Sequence, residues 1–531
     1  MRVHFKFYFL SFVAILIFSF IVLYPSFNLA FEDEEWQGIV LPKTIYSSYI
    51  TSKITAYSSP MWFMTNLYSW LGPNFFPYFV SSFTFRNLLS FSVLVFIYII
   101  TKNRLASFLG GVMVAVGFSG IQTTFEIINM IAYISYIGYF LFLSAFFLIQ
   151  DRLILKYIII MGISLLFATF IGSFRIYPLY IWVFIVDSLR VLMKFKKEII
   201  KTYLVRIFII FIVFLSLYKI GIFSWYTRDA VSGQGMDDIS RFISDTISLL
   251  AGLNSNVILN FLKGLGNIIF PDILDKSGTI PAVLGTLYII ILIPLFVTLI
   301  KRRTRSLYLL FAFFLWPLIF YTSYFLVYIS GHSKDTAIFQ SYIRYLFPPF
   351  IGFSIALAIF LSIIQKINNK KSRIVLALVI IFVFIHALTT HTYLNDLSKQ
   401  RDGSYMVEIW RQIKQLVPET SLSSKDTNVF YFETDGSTRA IYTVNDGFIG
   451  HAIALYKIDS KPAKFDSKEI SAFGKLLAPP IITFEELVSY IEISLSNNPE
   501  PDIWSRIFAL KVEGDRVIDI KKDVRRRVEA L

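Results

Sequence analysis

Phe5-Lys-Phe-Tyr-Phe-Leu-Ser-Phe-Val-Ala-Ile-Leu-Ile-Phe-Ser-Phe-Ile-Val-Leu-Tyr24 decides the fold. A run of about 20 mostly apolar residues is the length at which a helix crosses the hydrocarbon of a bilayer. Arg2 and Lys6 precede or open it and Ala30 follows it, as in a cleaved leader. The apolar core is longer than that of such a leader, which favours a retained span. Glu32-Asp33-Glu34-Glu35 comes next. Carboxylates so close to hydrocarbon are costly and repel one another, and a dry neighbour would raise the pKa of one of them.

The rest of the chain repeats the apolar theme. It has 531 residues, of which 56% are hydrophobic, and its mean hydropathy is +0.63. That composition predicts a polytopic α-helical membrane protein. Spans are expected near 5–25, 83–101, 105–122, 127–149, 154–173, 177–194, 203–223, 280–300, 306–329, 345–365 and 373–392, about eleven in all. The formal net charge is +14. Its cations collect in short loops, among them Lys102/Arg104, Lys301/Arg302/Arg303/Arg305 and Lys366/Lys370/Lys371/Arg373. This is the positive-inside pattern and argues against nucleic acid as partner. With no cysteine, disulfides, thiolate metal sites and cysteine nucleophiles are excluded.

Alternation then places the N-terminus in the cytoplasm and the long connections 26–82 and 224–279 outside, together with the tail. The transmembrane unit is expected over 1–395 and a small extracytoplasmic α/β domain over 396–531. In that tail, helical patterns lie at Tyr405–Leu416 and Phe484–Leu495, and a strand at Asn428–Glu433. A hairpin over Ile507–Glu513 and Val517–Lys522 turns at Gly514-Asp515. The basic run Lys521–Arg527 reads as a solvated end that leans on anionic headgroups. No phosphate-binding loop or dinucleotide turn is placed to bind a nucleotide. An activated donor for outer-face chemistry is then expected to arrive in the membrane, as a lipid.

Asp33 and Glu34 are the candidate catalytic groups, as a general base removing a proton from an acceptor hydroxyl. Spacing alone does not choose among the four carboxylates, and a solvated acidic patch is the plainer reading. Arg344, in Ser341-Tyr-Ile-Arg-Tyr-Leu-Phe-Pro-Pro349, and Arg175, in Ser173-Phe-Arg-Ile-Tyr-Pro178, are candidate phosphate ligands. A guanidinium clamps phosphate bidentately, although it also snorkels to headgroups. His332 and Lys334 share the outer loop with Arg344. Glu126, Arg86, Arg228 and Tyr345 complete a possible cavity. Asp187 and Arg190 are spaced to form a local ion pair. His386 and His391 read as structural, and no metal site is expected.

Three features resemble the GT-C superfamily of integral-membrane glycosyltransferases. They are Phe31-Glu-Asp-Glu-Glu-Trp36 after the first span, an amphipathic first outer loop leading to Phe85-Arg86-Asn87, and Arg344-Tyr-Leu-Phe-Pro348 at the start of a late span. The pattern is similar to the protein O-mannosyltransferases and to the membrane half of their tetratricopeptide-bearing relatives. It covers about residues 1–395. The resemblance implies Asp33 as the base, a polyprenyl-phosphate sugar as donor, inversion at the anomeric carbon, and Arg344 near the donor phosphate. The acceptor would be a hydroxyl on a protein, lipid or glycan. Ser58-Ser-Pro60 is a reduced form of the family's proline-rich stretch, and the tail has no tetratricopeptide pattern. A lipid or polysaccharide flippase and a noncatalytic membrane scaffold are the rival readings.

Overall fold

The computed structural model describes residues 2–31, 63, 66–67, 70–72, 74–150, 153–172, 176–194, 197–220, 255–275, 277–331, 343–367, 369–423, 426–445, 447–448, 470–472, 475–478, 480–497 and 503–531. Helix α1, Arg2–Leu23, ends where Pro25 enters the next 3-10 turn, since proline lacks the amide that would continue the ladder. Helix α2, Phe75–Thr101, starts at Asn74, whose side chain accepts the Phe76 amide at 3.2 Å. It stops at Lys102 in a left-handed conformation. Helix α3, Arg104–Val116, is capped in the same way by Asn103.

The chain continues through the short helix α4, Gln122–Phe125, and then α5, Ile131–Leu148; α6, Leu155–Gly172; α7, Tyr177–Lys194; and α8, Lys197–Ile220. Next come α9, Ser255–Asn267; α10, Thr279–Arg302; α11, Arg305–Gly331; α12, Phe347–Ile367; and α13, Asn369–Gln400. Among the described residues nine helices are long and apolar enough to cross a membrane: α1, α2, α5, α6, α8, α10, α11, α12 and α13. Apolar side chains on them stay open, such as Leu155 at 72% and Ile293 at 63% exposure, as a lipid-facing surface requires. The chain is therefore an integral membrane protein.

Two of the expected spans are not among these nine. The segment expected over 105–122 is a helix of only 13 residues, because the backbone turns extended at Gly117. A Cβ on Gly117 would collide with the Phe350 ring, so the close approach of α12 requires glycine there. The other, α7, carries Asp187, Arg190 and Lys194. Helix α12 is the most buried of the nine. The Trp316 indole donates to the Pro348 carbonyl at 2.9 Å and stacks on Phe320, fixing the first turn of α12 against α11.

The tail builds a five-stranded sheet in the order β2-β3-β1-β4-β5. Its strands are β1, Thr427–Thr434; β2, Ile470–Ala472; β3, Lys475–Leu477; β4, Ile507–Glu513; and β5, Arg516–Asp519. Strands β1 and β4 run parallel with Phe430 opposite Phe508, and β4 and β5 form the expected hairpin around Gly514. Helices α14, Gly403–Leu416; α15, Thr438–Val444; α16, Phe484–Asn497; and α17, Lys521–Glu529 accompany it. The basic terminal run is solvated, with its arginines exposed, and it is also ordered. It forms α17, buries Val524 and pairs Arg527 with Glu433 of β1. The expected division at 395/396 falls inside α13, and one apolar cluster runs from Ile15 of α1 through Leu394 to Trp410 and Phe430.

One junction fixes the tail to the bundle. Leu29, just past α1, forms an antiparallel bridge with Asp402, and the Ala30 amide donates to the Arg401 carbonyl at 2.9 Å. The Asn28 side chain adds bonds to Asp402 and Ser404. Gly403 lies against the Leu29 carbonyl, where a Cβ would come within 3.0 Å.

Candidate functional site

Asp33 and Glu34 lie outside the described residues, as do Glu32 and Glu35, Arg175, Arg228, His332 and Lys334. The structure places Arg344, Tyr345, Glu126 and Arg86 together at one end of the bundle.

Gly120 begins the arrangement. It has φ +83°, and its Cα faces the Phe347 backbone, where any Cβ would collide. That close approach brings α4 against the 3-10 turn Ile343–Leu346 at the head of α12. Glu126 sits in extended conformation at the end of α4 and is 4% exposed. Arg344 Nη1 donates to Glu126 Oε2 at 2.7 Å, and the Arg344 amide donates to Gln122 Oε1 at 3.0 Å. The Gln122 and Asn129 amides also donate to Glu126. A nearly dry carboxylate is thus satisfied by three side-chain donors, as burial of a charge demands. The Arg344 guanidinium lies 5.7 Å from the Tyr345 ring centre, and Tyr345 packs on Tyr324.

Arg86 is fully buried beneath this turn. It donates to Thr124 Oγ1 and, at 2.7 Å, to the Gly117 carbonyl, and it lies 5.9 Å from the Phe347 ring centre. Thr124 is shared with the Tyr133 hydroxyl at 2.7 Å. Arg86 therefore braces the turn that carries Glu126. It also satisfies the carbonyl that the break after α3 releases.

The described chain leading to the acidic run ends at the same place. Phe31 is fully buried against Phe75 and Tyr78, and its carbonyl accepts the Tyr442 hydroxyl of α15 at 3.1 Å. The Arg401 guanidinium lies over both the Tyr442 ring at 5.3 Å and the Phe125 ring at 5.7 Å. Arg401 thereby links the segment before residue 32 to the residue before Glu126.

Beside Arg344 opens a cleft of 440 Å³ whose walls include Phe118, Lys263, Asn267, Asp272, Ile343 and Tyr393. His386, 1% exposed, holds two of its walls. Its Nδ1 accepts the Phe118 amide, and its Nε2 donates to the Ile269 carbonyl, each at 3.1 Å. This fixes the neutral Nε2–H tautomer. Ser119 Oγ bonds the Asn267 carbonyl at 2.8 Å. Burial raises the Asp272 carboxyl above the ordinary carboxylate value, against the lowering effect of backbone hydrogen bonds. Asp275 is lowered, chiefly by the Ser277 hydroxyl, and then by the Ile280 amide.

Asp187 does not pair simply with its neighbour Arg190. It forms a bidentate pair with Arg206 of α8 at 2.9 and 2.7 Å, both side chains fully buried, and Arg190 adds its charge nearby. Local spacing pointed to Arg190, whereas the tertiary partner comes from the next helix. Gln122, Asn129, Arg401, Asn267 and Asp272 were not singled out from sequence. The four-residue and three-residue offsets of Gln122 and Asn129 from Glu126, in an apolar stretch, were the available signal.

Among the described residues no group of three or more histidine and carboxylate side chains is placed to hold a metal ion. The arrangement offers a pinned cation, an adjoining half-polar cleft, and an anchored chain running into a carboxylate cluster. No family model matches the chain, and no curated protein matches it either.

Proposed function

We propose that the protein is a GT-C-like membrane glycosyltransferase. It would move a sugar from a polyprenyl-phosphate donor to a hydroxyl acceptor on the outer face of the membrane. The observation that carries the reading is the Arg344–Glu126 pair at the end of the bundle where buried Phe31 leads into residues 32–35.

In this reading Asp33 takes the proton of the acceptor hydroxyl, with Glu34 holding the acceptor. The acceptor oxygen forms a bond to the anomeric carbon from the face opposite the phosphate. The anomeric carbon–oxygen bond to phosphate breaks, and its electron pair leaves on the lipid phosphate. Arg344 stabilises that charge. A guanidinium held at one Nη by Glu126 has its plane set beforehand, which is the form of electrostatic help that counts most in a transition state. The aromatic face of Tyr345 and the half-polar cleft are suited to a sugar. The orientation that follows from the basic turns places the tail outside, over the same end, and counts α3 and α7 as the tenth and eleventh spans.

Asp33→Asn and Arg344→Ala in the full chain, reconstituted in lipid with polyprenyl-phosphate sugars, test the reading. Loss of transfer in both is expected, by about a hundredfold or more for the base. Full transfer with Asp33→Asn removes Asp33 as base. A transporter is the second reading, favoured by the charges of Asp187 and Arg206 buried within helices. Movement of lipid-linked sugar across vesicles without transfer would select it.

A further inference from the structure

The cleft beside Arg344 contains one group that the fold does not use. Asn267 is only 6% exposed, lines the cleft, and its Oδ1 has no hydrogen-bond partner among the described residues. Buried amides are nearly always paired, so the Asn267 side chain, whose oxygen is itself shut off from solvent, gains a partner by turning its amide toward a group in the cleft. The backbone around it is fixed. Gly266 touches the Pro281 carbonyl with no room for a Cβ, and Ser119 holds the Asn267 carbonyl.

The neighbours say what kind of donor fits. Lys263 is spent on the Ser277 carbonyl at 3.3 Å, and Asp275 is spent on the Ser277 hydroxyl and the Ile280 amide. Asp272 is a half-buried acceptor whose Oδ1 takes the Ile273 amide at 2.9 Å, which leaves Oδ2 for a ligand. The Tyr393 hydroxyl has no hydrogen-bond partner among the described residues. Its ring meets Phe118 edge-on at 5.5 Å and Phe125 at 5.8 Å. An amide, a carboxylate and a phenol around an aromatic and aliphatic wall match a ring that carries several hydroxyls and an apolar face. Among the described residues the charged liners are two acids and one base, a balance that disfavours an anion.

We infer that this cleft is a subsite for an uncharged sugar ring, with Asn267, Asp272 and Tyr393 bonding its hydroxyls. The inference rests on the transferase reading for the source of the sugar, and adds that the sugar is not a uronate. Ile343, which lines the cleft, is the residue before Arg344.

The test is saturation-transfer NMR on the full chain in lipid nanodiscs, with methyl hexopyranosides and methyl glucuronide as probes. The hexosides should receive saturation, and the glucuronide should bind about tenfold more weakly. Asn267→Leu should abolish the hexoside signal. Tyr393→Phe, which removes one hydroxyl and leaves the packing, should weaken it about fivefold. Equal or stronger binding of the glucuronide overturns the inference, as does a hexoside signal unchanged in both variants. Stabilisation by magnesium or calcium alone, with no hexoside signal, makes this a cation site and also overturns it. Sugar transfer without hexoside saturation would remove the subsite and keep the transferase. Saturation in a chain that transfers nothing would do the reverse.

Discussion

Glu126→Ala should destabilise the protein more than Arg344→Ala, and the two effects should not add. The carboxylate is 5% exposed and the guanidinium 15%, with 2.7 Å between nitrogen and oxygen. Removing one partner of a buried pair costs about 3–5 kcal/mol. The partial exposure of Arg344 puts the Glu126→Ala cost near the lower end of that range, about 3 kcal/mol. The Gln122 and Asn129 amides lose an acceptor in the same step, at about 1–3 kcal/mol for each group left unsatisfied. Arg344→Ala leaves Glu126 with both amide donors, so its cost is smaller. The double variant removes both charges and should recover about 1–3 kcal/mol of the summed single losses. Equilibrium unfolding of the four proteins in one lipid composition measures the cycle. Single effects that add within about 0.5 kcal/mol, or a larger loss for Arg344→Ala, would refute the view that Glu126 organises this end of the bundle.

Three further outcomes follow from the same contacts. Asp187→Leu should be more damaging than Arg206→Leu, because it leaves two arginines, Arg190 and Arg206, buried without the carboxylate; replacing both members of the pair by apolar residues should restore most of the melting temperature. Burial lifts the folded Asp272 pKa above 3.8, so this group favours the fold at low pH and the benefit fades as pH rises through the lifted value. Asp272→Asn should accordingly melt higher than wild type at neutral pH, with the gap closing toward about pH 4 in a melting series. Gly120→Ala should cost about 1–3 kcal/mol or more, from a side chain forced into positive φ and into the Phe347 backbone, and melting in lipid reads it directly.

Much of this architecture was legible because apolar length is a local property. Phe5–Tyr24 announced a helix and the structure makes one, and the hairpin around Gly514 was readable from its turn. The break after α3 was not, because Gly117 turns there to make room for Phe350, a residue more than 200 positions away. Lys521–Arg527 reads as a solvated end and its arginines are exposed, but the helix it forms and its link to Glu433 were not legible, because that partner lies on a strand that only the fold brings near. In the candidate site, Arg344 and Glu126 were each visible as polar residues at helix ends. That they share one bond, with Gln122 and Asn129 completing the shell, depends on how α4 meets α12. Arg86 was visible as a cation but not as a brace, since nothing in its own helix shows the Gly117 carbonyl waiting for it.

The bridge between Leu29 and Asp402 joins positions from opposite thirds of the chain. During synthesis, the segment that carries the acidic run leaves the ribosome long before its anchor exists. Residues 28–31 cannot take their final course until Arg401, Asp402 and Tyr442 have been made and delivered to the same side of the membrane. A chain cut short before position 401 would thus insert its helices and still leave this corner unassembled. The last step of biogenesis is then also the step that finishes the surface around Phe31.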